Sequence, residues 1–210
     1  MRMPVRPLHG HEFDRRLENG DRRQGVLIYT PECPNCQACE PIRLDLEKFR
    51  PGKTHRRILR CGDRNLRMSV DSPAVDQKHF ELYKRHLFGR GLSRRSDDSI
   101  SLITLRYFLS NTSVQTFAMR LYFDDDLVAV AVTDYGETSF SAHYTFYDPS
   151  YSALSLGTYA ILKQAWMAQE LGYRYLYLGL YVEQNAHMRY KARFHPHQRR
   201  ISGRWVDFDG

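Results

Sequence analysis

Residues 173–182 read YRYLYLGLYV, a strict alternation of period two that prescribes a β-strand. On that period Tyr173, Tyr175, Tyr177, Gly179 and Tyr181 share one face, and Arg174, Leu176, Leu178, Leu180 and Val182 share the other. The leucine face requires an apolar layer against it. Residues 155–171, immediately upstream, carry the helical pattern that supplies one, so the pair reads as a helix returning its chain onto a sheet. The tyrosine face is a packing surface for a second layer or the lining of a stacking site, with Gly179 leaving room for close approach.

The preceding segment extends that sheet. Residues 117–123, 127–133 and 140–147 are apolar runs separated by the triplet Asp124, Asp125, Asp126 and by a turn containing Gly136, which predicts an antiparallel meander. The order becomes β-β-β-α-β, the order of acyltransferases of the N-acetyltransferase type, a likeness at the level of fold. The expected class is therefore α+β: a mixed, mainly antiparallel sheet flanked by helices, with a smaller N-terminal α+β region. Residues 1–70 are assigned to that N-terminal region, which holds the cysteines and a basic cluster, and residues 71–210 to the acyltransferase-like domain.

Within the first part, residues 11–18 predict a short helix ended by Asn19-Gly20, residues 26–29 a strand, and residues 42–49 a second apolar segment. Asp71-Ser72-Pro73 reads as a helix start, with Val75, His79, Leu82, Tyr83 and Leu87 recurring near a 3.6 period. Residues 89–99 form a polar Arg- and Gly-containing loop that breaks this helix, and residues 100–109 read as another helix.

A chain of 210 residues with 42% hydrophobic and 13% aromatic content can bury a substantial core. Its formal net charge of +7 favours anionic partners. No apolar run approaches the roughly 20 residues that cross a bilayer, and the opening MRMPVRPLHGHEF lacks the apolar stretch of a signal peptide, so the cytoplasm is the expected location. Positive charge is densest at Lys53, Arg56, Arg57, Arg60, Arg64 and Arg67, opposed only by Asp63. Such a cluster is a solvated face or a match for nucleic-acid phosphates.

Several residues have the chemistry of a site. Ser155 and Gly157 open a helix whose free N–H groups can hold a phosphate or polarise an ester carbonyl, and Tyr159 follows in the same turn. Coenzyme A binding would call for Arg/Gln-x-x-Gly-x-Gly/Ala here, whereas the chain has Leu154 and Tyr159 at the corresponding ends. Tyr190, Lys191 and Arg193 lie in a basic segment, with Lys191 and Arg193 on one side of it if it is extended, a clamp for carboxylate or phosphate. Tyr177 is the strand tyrosine singled out for substrate contact. Asp148 and Glu183 are the candidate acid–base carboxylates, and Asp148-Pro149 equally makes a turn. Cys33, Cys36 and Cys39 have CxxC spacing for zinc or an iron–sulfur cluster, yet a fourth ligand is not evident, and reduced thiols fit as well.

Taken together these segments are familiar. The chain resembles the arginyl/leucyl-tRNA-protein transferases, most closely the bacterial leucyl branch that acts on Asp- and Glu-starting proteins. The resemblance is carried by DRRQG at 21–25, CPNCQACEPIRL at 33–44, FRPGKTHRR at 49–57, DLVAVAVTD at 126–134, YTFYDP at 144–149, SLGTYAIL at 155–162, YLYLG at 175–179 and MRYKARFHP at 188–196. It departs at the start, where the family's segment with Cys-Pro-Tyr-Leu would precede this chain. It departs again around Gly89 to Leu92 in place of Gly-Gly-Met, at Ala118 in place of an acid, and at Asn185 in place of a cysteine.

The resemblance implies an enzyme that moves an amino acid, leucine first and arginine next, from aminoacyl-tRNA to the N-terminal amine of proteins beginning with Asp or Glu. Such a reaction marks proteins for degradation and needs no cofactor. It further implies tRNA contacts at Lys53, Arg56, Arg57 and Arg60, and ester and substrate contacts at the helix opening and at residues 190–194. A non-catalytic RNA-binding descendant and a coenzyme A-dependent acetyltransferase are the alternatives.

Overall fold

The computed structural model describes residue 1, residues 3–93 and residues 100–209. Most of the polar loop anticipated at 89–99 thus lies outside the described residues. The chain begins with α1 (Gly10–Glu18), which buries Phe13 and Leu17, and a hairpin of β1 (Arg22–Gln24) and β2 (Leu27–Tyr29). Next come β3 (Glu40–Asp45), α2 (Lys53–Asn65) and β4 (Leu66–Asp71), then α3 (Gln77–Gly89) and α4 (Leu102–Leu109). The meander follows as β5 (Gln115–Phe123), β6 (Asp126–Tyr135) and β7 (Ser139–Tyr147). After it come α5 (Leu156–Glu170), β8 (Tyr175–Tyr181), the short α6 (Ala186–Arg189), β9 (His197–Ile201) and β10 (Arg204–Phe208).

Among the described residues, eight strands form one sheet in the order β10-β9-β3-β8-β7-β6-β5-β4. All its pairings are antiparallel except β7 with β8. That parallel pair is the one the helix α5 connects, as a crossover between parallel strands requires. The α+β, acyltransferase-like class is thus the observed one. Across the assigned boundary, β3 stands between β8 and β9, and residue 70 falls inside β4.

Helices cover both faces. Met119, Leu121, Ala129 and Ala131 pack with Leu156, Tyr159 and Ala160 of α5 and with Ile58 and Leu59 of α2. Ala118, Val130, Val132 and Phe146, the alternate residues, pack with Leu82 of α3 and Leu105 and Leu109 of α4. The period of two in β5 to β7 therefore sorts one strand's side chains between two helical layers. Among the described residues no helix is long and apolar enough to cross a membrane.

Two expectations need correction. The helix expected from 71–73 begins at Gln77, because Asp71 ends strand β4 and Asp76 caps the helix by accepting a bond from the His79 N–H at 3.0 Å. The basic cluster, for which no element is expected, lies mainly on a helix: residues 53–65 form α2, whose inward His55, Ile58, Leu59 and Gly62 recur at i, i+3, i+4 and i+7. The alternation of β8 also fails at its end. Tyr175 and Tyr177 face Phe13, Leu17 and Ile28, but Tyr181 lies with Leu176 and Leu178 on the α5 side. A bulge is the cause: Gly179 pairs with Ile42 and Tyr177 with Arg43, so Leu178 is the extra residue, and Gly179 takes φ +88°.

Candidate functional site

The bulge marks where β7 and β8 part. Their parallel ladder runs only from Ser139–Tyr175 to Ser141–Tyr177, although β7 continues to Tyr147 and β8 to Tyr181. The groups between the diverging strands come from three places: the hairpin β1–β2, the first turn of α5, and the segment after α6.

From the hairpin, Arg22 sets its guanidinium directly against the backbone of Gly179, where a Cβ would overlap it. Burial pulls the Arg22 pKa down, countered by Tyr29, whose hydroxyl bonds it, and by Asp134. From the far side, Lys191 donates from Nζ to the Leu180 carbonyl at 2.7 Å. Burial, reinforced by the charge of Arg22, lowers the Lys191 pKa to about 7. A cavity of about 20 Å³ beside Arg22 is lined by Gly179, Ser141, Tyr177 and His143, among others. His143 is buried and driven down to a pKa of about 3, chiefly by burial and against the pull of Asp134. Its Nε2 has no hydrogen-bond partner.

Beneath this lies a closed ion pair. Arg23 grips Asp134 through Nε and Nη2 at 2.8 and 2.9 Å, and Thr116 donates to the same carboxylate at 2.7 Å. Both residues are almost wholly buried. Asp134 is therefore fully occupied, which holds the hairpin, and with it Arg22, on the sheet.

At the open end, Ser155 caps α5 with left-handed backbone, φ 51° and ψ 45°, and Gly157 admits the Tyr147 ring, which a Cβ would meet at 3.0 Å. Arg90 donates to the Tyr147 hydroxyl and lies 3.1 Å from Nδ1 of His187. Tyr190 is close enough to feel Tyr147 and Arg90, and burial raises its pKa to about 12. Its hydroxyl is thus a neutral donor.

The structure brings Ser155, Gly157, Tyr190 and Lys191 to this opening. It distributes the other candidates elsewhere. Tyr159 is 1% exposed in the α2–α5 packing, against Gly62, and donates to Asp63 at 2.8 Å. Asp148 caps the turn that follows it through bonds from Ser150 and pairs with Arg85 at 2.7 Å. Burial opposes its charge, but the Ser150 bonds and Arg85 outweigh that and hold its carboxyl below the usual range, which makes it a poor proton acceptor. Glu183 is exposed in the turn after β8. Tyr177 is buried under Trp205, accepting from Arg43 at 2.8 Å and donating to Glu18 at 3.1 Å. Arg193 is exposed, and the segment it shares with Lys191 is not extended: residues Tyr190–Arg193 form a 3-10 turn, which turns the two side chains apart. Lys53, Arg56, Arg57 and Arg60 are all exposed on the outer face of α2.

The cysteine loop leads into β3, whose Glu40 pairs with Tyr181 at the end of β8. Cys33, Cys36 and Cys39 are exposed free thiols, and the Cys39 pKa is raised by burial and then by its two neighbours. Cys61 is on α2, packed toward α5. Among the described residues no three His, Cys, Asp or Glu side chains are arranged to hold a metal, and three thiols fall one short of a closed tetrahedral set. Arg22, His143, Tyr147, Arg90 and His187 are the site residues that sequence reasoning missed. Of these, Arg22 and Tyr147 stand in stretches that carry the family resemblance, DRRQG and YTFYDP.

Comparison with known proteins gives the same outline. Sequence models of arginine-tRNA-protein transferases match in two parts, the N terminus at residues 2–57 and the C terminus at residues 78–201. The aspartate/glutamate leucyltransferase of Aeromonas hydrophila is 36% identical over 206 residues, covering 96% of this chain and 84% of that protein. The protein of the same name from Stenotrophomonas maltophilia is 38% identical over 200 residues, covering 92% and 78%. Among solved structures, the C-terminal domain of a lysylphosphatidylglycerol synthetase, described as putative, from Agrobacterium fabrum aligns with a TM-score of 0.52 at 17% identity, over 70% of this chain and 47% of that one. The L-PGS structure from Bacillus licheniformis aligns at 0.51 and 18%, over 70% and 46%. At these identities the likeness concerns the fold.

Proposed function

This chain belongs to the arginine-tRNA-protein transferase family, and from that premise we propose that it moves leucine from leucyl-tRNA to the N-terminal amine of proteins beginning with Asp or Glu. Arginine is the second donor to test. The observation that carries this reading is the similarity to aspartate/glutamate leucyltransferases across 84% of the length of the Aeromonas hydrophila protein. We place the reaction in the cytoplasm, as a step that marks proteins for degradation.

The chemistry asks little beyond positioning and charge stabilisation. The ester joining amino acid to tRNA is already activated, so no nucleotide is hydrolysed. The acceptor's neutral α-amine attacks the ester carbonyl carbon, the bond from that carbon to the ribose oxygen breaks, and the proton lost by nitrogen ends on that oxygen. A peptide bond and an uncharged tRNA result. Holding amine and ester together removes most of the entropic barrier, and fixed donors stabilise the oxyanion.

The opening between β7 and β8 supports this assignment. In our reading the Gly157 N–H in the first turn of α5, the Ser155 side chain and the Tyr190 hydroxyl serve the ester carbonyl, while the Ser155 N–H is spent on the Ser152 carbonyl at 3.0 Å. Lys191 reads the acidic side chain of the acceptor, and Lys53, Arg56, Arg57 and Arg60 meet tRNA phosphates. The reaction itself calls for no cofactor.

The test supplies labelled leucyl-, arginyl- and phenylalanyl-tRNA with peptides that start with Asp, Glu or Ala. Leucine on Asp and Glu peptides alone is the expected result. Label on none of the peptides with any of the tRNAs would defeat the reading.

A further inference from the structure

We propose that Arg22 and Lys191, standing on the two sides of the Gly179 bulge, form a carboxylate site that takes the acidic side chain of the acceptor's first residue. The proposal deepens the transferase reading and rests on it for the identity of the ligand.

Its basis is an imbalance of charge. Arg22 lies against Gly179 and Lys191 bonds the next carbonyl, Leu180, so two cations meet at one turn of backbone. No carboxylate among the described residues forms an ion pair with either of them. Two acids lie near Arg22, and both are engaged elsewhere: Asp134 is held by Arg23 and Thr116, and Asp21, which lines the same cavity, accepts from Thr30 at 2.6 Å and pairs with Arg16 at 3.4 Å. These two half-buried like charges, with no carboxylate paired to either, repel each other, an arrangement that costs stability unless an anion arrives. Lys191, which bonds one carbonyl, keeps two further N–H donors for it.

Size and position select a carboxylate. The space beside Arg22 is about 20 Å³, room for one small group, and is lined by Tyr177, Pro41, Leu17 and Asp21, with Lys191 on the other side of the bulge, whereas tRNA phosphates would need an open basic surface, which α2 offers. Arginine's planar fork matches two carboxylate oxygens, and the unpartnered Nε2 of His143 adds a polar group to the same wall. Arg193, being exposed, is not part of this site. An N-terminal Asn or Gln would place an NH2 against these donors and leave them unpaired.

The decisive measurement is the ratio of kcat/KM for Asp-starting over Asn-starting peptides, in the full chain with leucyl-tRNA. Calorimetric titration of the same peptides without tRNA accompanies it. We expect Arg22→Gln and Lys191→Met each to lower kcat/KM for the Asp peptide about 30-fold or more, mostly through KM, while tRNA affinity holds. The Asp-to-Asn ratio should collapse, and Arg22→Lys should retain part of it. Folded variants, by circular dichroism, that keep the wild-type ratio and the wild-type peptide affinity would overturn the proposal. Should Arg22→Gln fail to fold, Lys191→Met and Arg22→Lys decide. Should the wild type transfer nothing yet bind the Asp peptide more tightly than the Asn peptide, with that preference lost in the variants, the carboxylate site stands and the transferase reading fails. Transfer by variants with an unchanged ratio sinks the carboxylate site alone.

Discussion

The guanidinium of Arg22 rests on the Cα of Gly179, in space that any side chain at residue 179 would have to occupy. Gly179 is also the residue whose φ of +88° lets β8 bulge. Gly179→Ala should therefore do two things at once. Backbone strain costs about 1–2 kcal/mol, read as a lower midpoint in denaturant. Displacement of Arg22 raises KM for acidic peptides. A variant that keeps both wild-type stability and wild-type KM would show that neither the glycine nor the arginine is needed there.

Tyr159, a candidate from its place in the first turn of α5, is committed to packing. Its ring fills the position where Gly62 lacks a side chain, and its hydroxyl bonds Asp63. Tyr159→Phe should lower stability by about 1 kcal/mol and leave the transfer rate near that of the wild type. A rate loss of about tenfold, equivalent to ~1.4 kcal/mol of barrier, would return the hydroxyl to the chemistry.

On α2 the charges Lys53, Arg56, Arg57 and Arg60 are exposed, and exposed cations that meet phosphates reveal themselves in salt dependence. Replacing each by Gln in turn should flatten the plot of log affinity for tRNA against log salt by about 0.7–0.9 for every phosphate that the variant no longer neutralises. Peptide affinity should not move. A slope that stays constant through all four substitutions would place tRNA on another face.

Acid should destabilise the fold through its buried histidines. Burial lowers His86 and His197 to about 4, and His143 to about 3, in the last case against the pull of Asp134. Each folded value lies below the unfolded value near 6.5, so the unfolded chain takes up the proton first. The stability contributed by the neutral rings is complete above pH 6.5 and is lost as pH falls toward 4, with a slope of about 1.4 kcal/mol per pH unit for each ring. Denaturant unfolding at pH 7, 5.5 and 4.5 measures this. His86→Gln should flatten the slope, and equal stability at the three pH values would contradict the burial of these rings.

Much of the architecture was legible from local pattern. The meander, α5 and β8 are written as periods of two and 3.6, which reflect the geometry of strand and helix and need no distant partner. The N-terminal helix α1 and the helix before the meander, α4, were readable for the same reason. Less was visible where one pattern hid another. The arginines of α2 suggested a solvated cluster, although Ile58, Leu59 and Gly62 recur at helical spacing among them. Asp71-Ser72-Pro73 has the composition of a helix start, yet residues 66–71 pair with β5, and strand pairing with a distant segment outweighs a local capping preference.

By itself, then, the sequence determined the fold class and the family, because each is tied to elements with a local signature. Tertiary structure decided the rest. Only the bulge opposite Ile42 and Arg43 turned Tyr181 to the leucine side, and only the Arg23–Asp134 pair, 111 residues apart in the chain, carried Arg22 onto Gly179. The physical reason is that register, burial and charge pairing are properties of segments meeting across the sheet, and one residue's slip in a period of two reverses every side chain beyond it.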